Sequence, residues 1–157
     1  MRLYFPVARS EVDTIIDWVN ERLPEQDDFR DSFAVAVIDE TWKILAGAIF
    51  SNYSENNVFL SGAIDDKSVG KVTRGHLSDM MAAAFKRPLD CLRITALVSP
   101  TNKRSKRFVT GLGFQQEGIL RDYMGKDTET LVFGLTKTEF EEGRYGRQQG
   151  RRRRAAS

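Results

Sequence analysis

The stretch Asn102-Lys-Arg-Ser-Lys-Arg-Phe-Val-Thr-Gly-Leu-Gly-Phe-Gln-Gln-Glu-Gly-Ile-Leu-Arg121 decides the fold. An asparagine ahead of helix-forming residues reads as a cap, its side-chain oxygen accepting a backbone N–H that the first turn leaves unpaired. Ser105, Phe108, Val109 and Leu112 repeat at i, i+3, i+4 and i+7 and share one helical face. Gly113 supplies the left-handed residue that ends such a helix, and Phe114 to about Arg121 then reads as a strand. Lys103, Arg104, Lys106 and Arg107 crowd the helix start, where unpaired amides and the helix dipole already favour an anion.

Working outward, Leu92–Val98 is an apolar strand that feeds this helix, and Thr130–Leu135 is a last strand beyond a turn at Gly125-Lys126-Asp127. Upstream, Leu77, Met80, Met81, Ala84 and Phe85 keep helical spacing and predict a helix from about Val72 to Lys86, closed by Pro88. Before it lie three strand-like runs, Phe33–Ile38, Lys43–Tyr53 and Val58–Asp65. Loops of about four residues join them, which makes an antiparallel meander. The chain opens on a strand, Arg2–Val7, broken by Pro6. A helix, Ser10–Leu23, follows with Ser10 and Asp13 as its capping box, and Pro24 ends it. The acidic segment Glu25–Asp31 reads as a loop or short second helix. Thr136 and Glu139 form another capping box and start a short helix.

The pattern N-x-x-S-x-x-x-x-x-x-x-G-F-x-x-E-G-x-x-R resembles the C-terminal half of the GNAT acetyltransferases. Its nearest likeness is to members that acetylate ribosomal-protein N-termini and to small phage-encoded relatives. The order of elements over 1–140 is also the GNAT order, while the residue-specific match is confined to about 92–140. The resemblance implies an α+β GNAT fold. Its mixed, mostly antiparallel twisted sheet has six to seven strands and about four helices, with strands 4 and 5 splayed apart. It implies acetyl-CoA as co-substrate, with no metal, and an amine acceptor, either a protein N-terminus or a small amine.

Carried over by position, the pantetheine arm of the coenzyme would lie along Ser61–Asp65, with Ala63, Ile64 and Asp65 in contact. The diphosphate would sit in the loop that follows, at Gly70, Lys71, Val72, Thr73, Arg74 and Gly75. Only one glycine fits the family's loop pattern, a departure that Lys71 and Arg74 would have to offset. The resemblance gives Asn102 a hydrogen bond to the pantetheine end, and gives Arg104 or Arg107 a contact with phosphate. Many GNAT enzymes carry a proton-donating Tyr seven residues after the Asn. Val109 stands there in this chain, and the N-terminal acetyltransferase subgroup points instead to Ser105. Tyr123 is a second candidate hydroxyl. Glu117 would relay a proton from the amine, or would simply pair with Arg121; Asp65 and Asp66 are open as alternatives. His76, the single histidine, reads as a surface or packing residue, with a base as the alternative.

Bulk composition sets the limits. With 157 residues, 41% of them apolar and 10% aromatic, the chain fills one core. No apolar run approaches the ~18 residues of a membrane span, and the first residues are too mixed for a signal peptide. The single cysteine, Cys91, reads as a packed thiol and fits a reducing compartment, so a cytoplasmic location is expected, that of a host if the chain is phage-encoded. Scattered acids with one His and one Cys do not make a metal site.

The net charge of +2 hides an asymmetry. Residues 143–157 hold six arginines and no acid, which leaves 18 basic against 22 acidic residues, a net of −4, in 1–142. The expected division is therefore an acyltransferase domain, 1–142, and a disordered Arg-rich tail, 143–157. The arginines between 144 and 154 would suit nucleic acid or an acidic partner. Two functions compete: an acetyltransferase, monomeric or homodimeric, and a catalytically weak GNAT-fold binding or structural protein with a nucleic-acid-binding tail.

Overall fold

The computed structural model describes residues 1–24, 27–29 and 31–156. Among these residues seven strands form one sheet in the order β1-β2-β3-β4-β5-β7-β6. They are β1 (Arg2–Tyr4), β2 (Phe33–Ile38), β3 (Ile44–Ser54), β4 (Asn57–Ile64), β5 (Arg93–Val98), β6 (Gln115–Arg121) and β7 (Glu129–Thr136). All neighbours pair antiparallel except β4 and β5. That parallel pair needs a crossover. Helix α2 (Arg74–Ala84) provides it, entered through a 3-10 turn at Asp66–Ser68. The remaining helices are α1 (Arg9–Asn20), α3 (Lys103–Leu112), α4 (Lys137–Glu142) and α5 (Arg144–Ala155).

Strand alternation splits the core between the two faces of the sheet. On one face, Ile15, Ile16 and Val19 of α1 pack on Ala34, Ala36, Ile38 and Ile49. On the other, Met80, Met81 and Ala84 of α2, Val109 and Leu112 of α3 and Phe140 of α4 cover Val35, Val37, Ala48, Ile94, Ala96, Val98, Leu131 and Phe133. A Cβ on Gly47 would stand 2.7 Å from Val19 Cγ2, so only glycine lets α1 lie this close to β3. Among the described residues no helix is long and apolar enough to cross a membrane.

Several boundaries differ from the sequence reading, each for a local reason. Strand β1 stops at Tyr4, because Pro6 cannot donate to the ladder. Helix α1 starts at Arg9 with Ala8 as its cap residue, not at Ser10. Alanine has no capping oxygen, so the work is done from the other side: Glu11 Oε2 accepts the N–H groups of Val7 and Ala8, both at 3.0 Å. These bonds and one from Tyr4, the largest influence, hold the Glu11 carboxyl below its usual range. In the acidic segment, residues 27–29 and 31 are not helical, while Glu25, Gln26 and Arg30 lie outside the described residues.

The largest difference is at the C-terminus. The composition of 143–157 predicts disorder, yet Arg144–Ala155 is a helix of 12 residues. Composition cannot see its partners. Ser78 Oγ donates to Tyr145 C=O at 2.8 Å, Gln149 bonds Asp79 and Lys86, and Tyr145 packs against the larger core. Arginine is also a good helix former once a docking face exists.

Candidate functional site

Strands β4 and β5 pair only over Asn57–Phe59 and Arg93–Thr95. Beyond that point β4 continues to Ile64 on β3, and β5 to Val98 on β7. A gap therefore opens toward the C-terminal ends of both strands. Alternation identifies the backbone groups that face it. Asp65 N–H donates to Leu45 C=O at 2.9 Å, which turns Gly62 and Ile64 away from β3 and toward the gap. Across it, Leu92 C=O accepts from Lys137 N–H at 2.8 Å, so the odd positions of β5 look the other way and Leu97 faces the gap. Gly62 is exposed. Of the two alanine-isoleucine positions expected to meet the coenzyme arm, Ile64 presents its amide and carbonyl to the gap, whereas Ala63 presents them to β3. Gly62 and Leu97 were missed, since backbone groups leave no mark in a sequence until strand register is known.

Two helix starts lie at the wide end of this gap, one after each strand. The loop into α2 bends at Gly70, whose φ of +91° suits glycine and whose missing Cβ would have no heavy atom within 4 Å. The N–H groups of Lys71 and Val72 both turn inward to Ser68 C=O, at 2.9 and 3.1 Å. Thr73 caps α2, its Oγ1 accepting from His76 N–H at 3.3 Å, and His76 Nδ1 accepts from Thr73 N–H at 3.1 Å. His76 thus fills the place a Glu takes in a capping box. The amides of Arg74 and Gly75 in the first turn are left without a helical partner.

At the other start, Asn102 Oδ1 accepts from Ser105 N–H at 3.0 Å. The cap uses only the oxygen, so Asn102 Nδ2 remains a donor. Ser105 is half-buried, and Val109 one turn on is buried. Gly113 ends α3 with φ +102°, and Phe108, expected on the buried face, is 36% exposed. Arg107 is exposed. Arg104 reaches to Asp66 at 2.7 Å, linking the start of α3 to the 3-10 turn that follows β4.

The carboxylates near the gap are all matched to cations. Asp65 lies 3.7 Å from Lys43 Nζ and 4.0 Å from Arg22, and its Oδ2 accepts from Ser68 Oγ at 3.1 Å. Glu117 pairs with Arg93, at 2.6 and 3.3 Å, and not with Arg121. The reason is a β-bulge between Gln116 and Gly118 that swings Glu117 over Gly134. A Cβ on Gly134 would stand 2.6 Å from Arg93 Nη2 and closer still to Glu117. The chain of contacts continues sideways: Arg93 Nε donates to Thr95 Oγ1 at 3.2 Å, and Thr95 Oγ1 to Asn57 Oδ1 at 2.6 Å. This line crosses from β6 to β4 on the face that carries α1.

Tyr123 is 54% exposed, beside Ile119, Leu120 and Asp122 at the tip of the β6–β7 hairpin. Strand β6 runs parallel to β5 with β7 between them, which brings Tyr123 to the same end of the sheet as the gap, but roughly 10 Å to the side. Cys91 is buried, and desolvation pushes its thiol up, as suits a packed residue. Among the described residues no group of His, Cys, Asp or Glu is placed to hold a metal ion.

No family model and no curated protein sequence matches this chain. Solved structures do. The spermidine N-acetyltransferase of Vibrio cholerae in complex with CoA and spermine superposes with a TM-score of 0.65 at 15% identity, covering 88% of this chain and 96% of that one. A mutant of the same enzyme gives 0.71 at 14%, over 90% and 98%. The ribosomal-protein-S5-alanine acetyltransferase of Vibrio fischeri gives 0.65 at 17%, over 88% and 93%. With its split parallel pair, single crossover helix and seven-stranded mixed sheet, the chain has the fold of the GNAT acetyltransferases.

Proposed function

We propose that this chain is an acetyl-CoA-dependent N-acyltransferase that moves an acetyl group to a primary amine. The observation that carries this reading is the stretch of β4 beyond Phe59 that has no β5 partner. An extended ligand can complete that edge as an added strand does, hydrogen bond by hydrogen bond. The coenzyme would supply an activated acyl thioester.

The chain's own groups divide the remaining work. Gly62, Ile64 and Leu97 present backbone donors and acceptors to the arm. Gly70 leaves room for a diphosphate, which the amides of Arg74 and Gly75 and the charge of Lys71 and Arg74 would hold. Asn102 Nδ2 is the donor nearest the start of α3. Ser105 Oγ serves as proton donor to the leaving thiolate, because Val109 occupies the place of the usual tyrosine. With Asp65, Asp66 and Glu117 all paired to cations, the proton of the amine leaves through water. It does so on the face that carries α1, which has no helix over β5, β6 and β7 among the described residues. The acceptor is a protein N-terminus or a small amine, in keeping with the ribosomal-protein and spermidine enzymes that share the fold.

One feature favours a second reading, a binding protein with weak transfer. The loop before α2 spends two of its amides on Ser68, so its hold on phosphate is looser than its length allows. Calorimetry with acetyl-CoA separates the cases. The enzyme reading predicts a dissociation constant at or below roughly 100 µM, and thiol release when a polyamine or a short peptide with a free N-terminus is added. Binding without release supports the second reading, and no heat at millimolar coenzyme removes the enzyme reading.

A further inference from the structure

Helix α5 carries a feature that acyl transfer does not use. Arg144, Arg147, Arg151 and Arg154 stand at i, i+3, i+7 and i+10 and are all exposed. Tyr145, Gln148 and Gln149 are half-buried on the side that meets α2 and α4. At 3.6 residues per turn the four arginines fall within about 80° of arc and span about 15 Å. The segment 143–157 contains no Asp or Glu. Like charges three and four residues apart oppose the helix, so this face carries a cost that a polyanion would relieve.

The chemistry narrows the partner. Arginine's planar fork matches phosphate. The exposed stripe has no Trp, Phe or Leu to enter a bilayer and no aromatic ring on which unpaired bases would stack. One side of α5 is docked on the protein, so the helix cannot sink into a major groove and read base edges; it can lie along a backbone. A duplex offers one charge per ~1.7 Å of axis, enough for arginines spaced one turn apart to find phosphates without matched placement. The rest of the chain, at net −4, adds no general attraction. We propose that the outer face of α5 docks on the phosphate backbone of double-stranded DNA without sequence readout, independently of the acyltransferase reading.

The test is fluorescence anisotropy of the full chain with a labelled 20-base-pair duplex between about 50 and 200 mM salt. Four neutralised phosphates give a slope of log Kobs against log salt of about −3.6, a loss of about 150-fold over that range. Replacing all four by glutamine (Arg144→Gln, Arg147→Gln, Arg151→Gln and Arg154→Gln) should flatten the slope by about that amount, with helicity and melting point retained. The matching four-lysine variant should keep it, since counterion release counts charge. The proposal is overturned by no binding at low salt, by a slope shallower than about −2, or by a lysine variant that loses the slope. It is equally overturned by affinity as high for polyglutamate, single-stranded DNA or phosphatidylserine vesicles of matched charge.

Discussion

Asn57, Val58 and Phe59 of β4 are zipped to Arg93, Ile94 and Thr95 of β5, whereas Gly62 and Ile64, only a few residues on, have no β5 partner. At the closed end side chains add to the ladder: Asn57, Thr95, Arg93 and Glu117 run across four strands. At the open end each strand follows its other neighbour, β4 staying with β3 and β5 with β7. A split sheet therefore keeps its shape because one end is cross-linked. The open groups cost little, since water can reach Gly62, and an extended ligand of the kind proposed would find them already aligned.

The difference between the two ends can be broken or sharpened by mutation. Ser105→Ala at the open end should lower turnover by roughly 100-fold if Ser105 is the proton donor, with coenzyme affinity changed less than threefold; steady-state rates and calorimetry on one preparation check both. Unchanged turnover removes Ser105 from the chemistry. At the closed end, Gly134→Val drives a side chain into the Arg93–Glu117 pair and should cost about 1–3 kcal/mol in urea unfolding. Equal stability would show that the pair does not hold the closed end together.

Asn102 separates structure from binding. Asn102→Ala should lose the cap, about 1 kcal/mol, and weaken coenzyme binding. Asn102→Asp keeps a capping oxygen but no donor, so stability should hold while coenzyme binding still weakens. Asp66→Asn is subtler. The exposed Arg104–Asp66 bridge is worth at most about 1 kcal/mol, and its loss should free Arg104 to tighten coenzyme binding a few-fold, an effect that fades with salt. Weaker binding would mean that the bridge shapes the site.

The smallest effect is a control remote from both ends. The folded-state pKa of Glu11 is lowered, first by Tyr4 and then by the Ala8 and Val7 amides. The stability it adds over Glu11→Gln should be present at neutral pH and lost as pH falls below about 4.3 and through the lower folded value. A difference that grows on acidification would contradict the assigned hydrogen bonds.

The sequence carried the parts of this fold that local rules govern. Asn102 and Gly113 bound α3, Thr136 and Glu139 start α4, and apolar runs mark β2, β3 and β5. It misled where a partner decides. Arg144–Ala155 looked disordered because Ser78 and Asp79, its anchors, are some 70 residues away. Glu117 reads from the sequence as a proton relay or as a partner of Arg121, but a bulge over Gly134 sends it to Arg93. The alternation of Arg93 and Thr95 against Ile94 and Ala96 was a legible sign that one face of β5 is polar. The backbone groups of Gly62, Ile64 and Leu97 had no comparable sign, since only the register shows which way they face.

Amide hydrogen exchange, followed residue by residue with and without coenzyme A, bears most directly on the open edge. In the free protein the Gly62, Ile64 and Leu97 amides should exchange fast while those of Ser61 and Ala63, turned to β3, are protected. Saturating coenzyme A should slow the first group and leave the second unchanged. Slow exchange at Gly62, Ile64 and Leu97 before any ligand is added, or no change on adding it, would contradict the account.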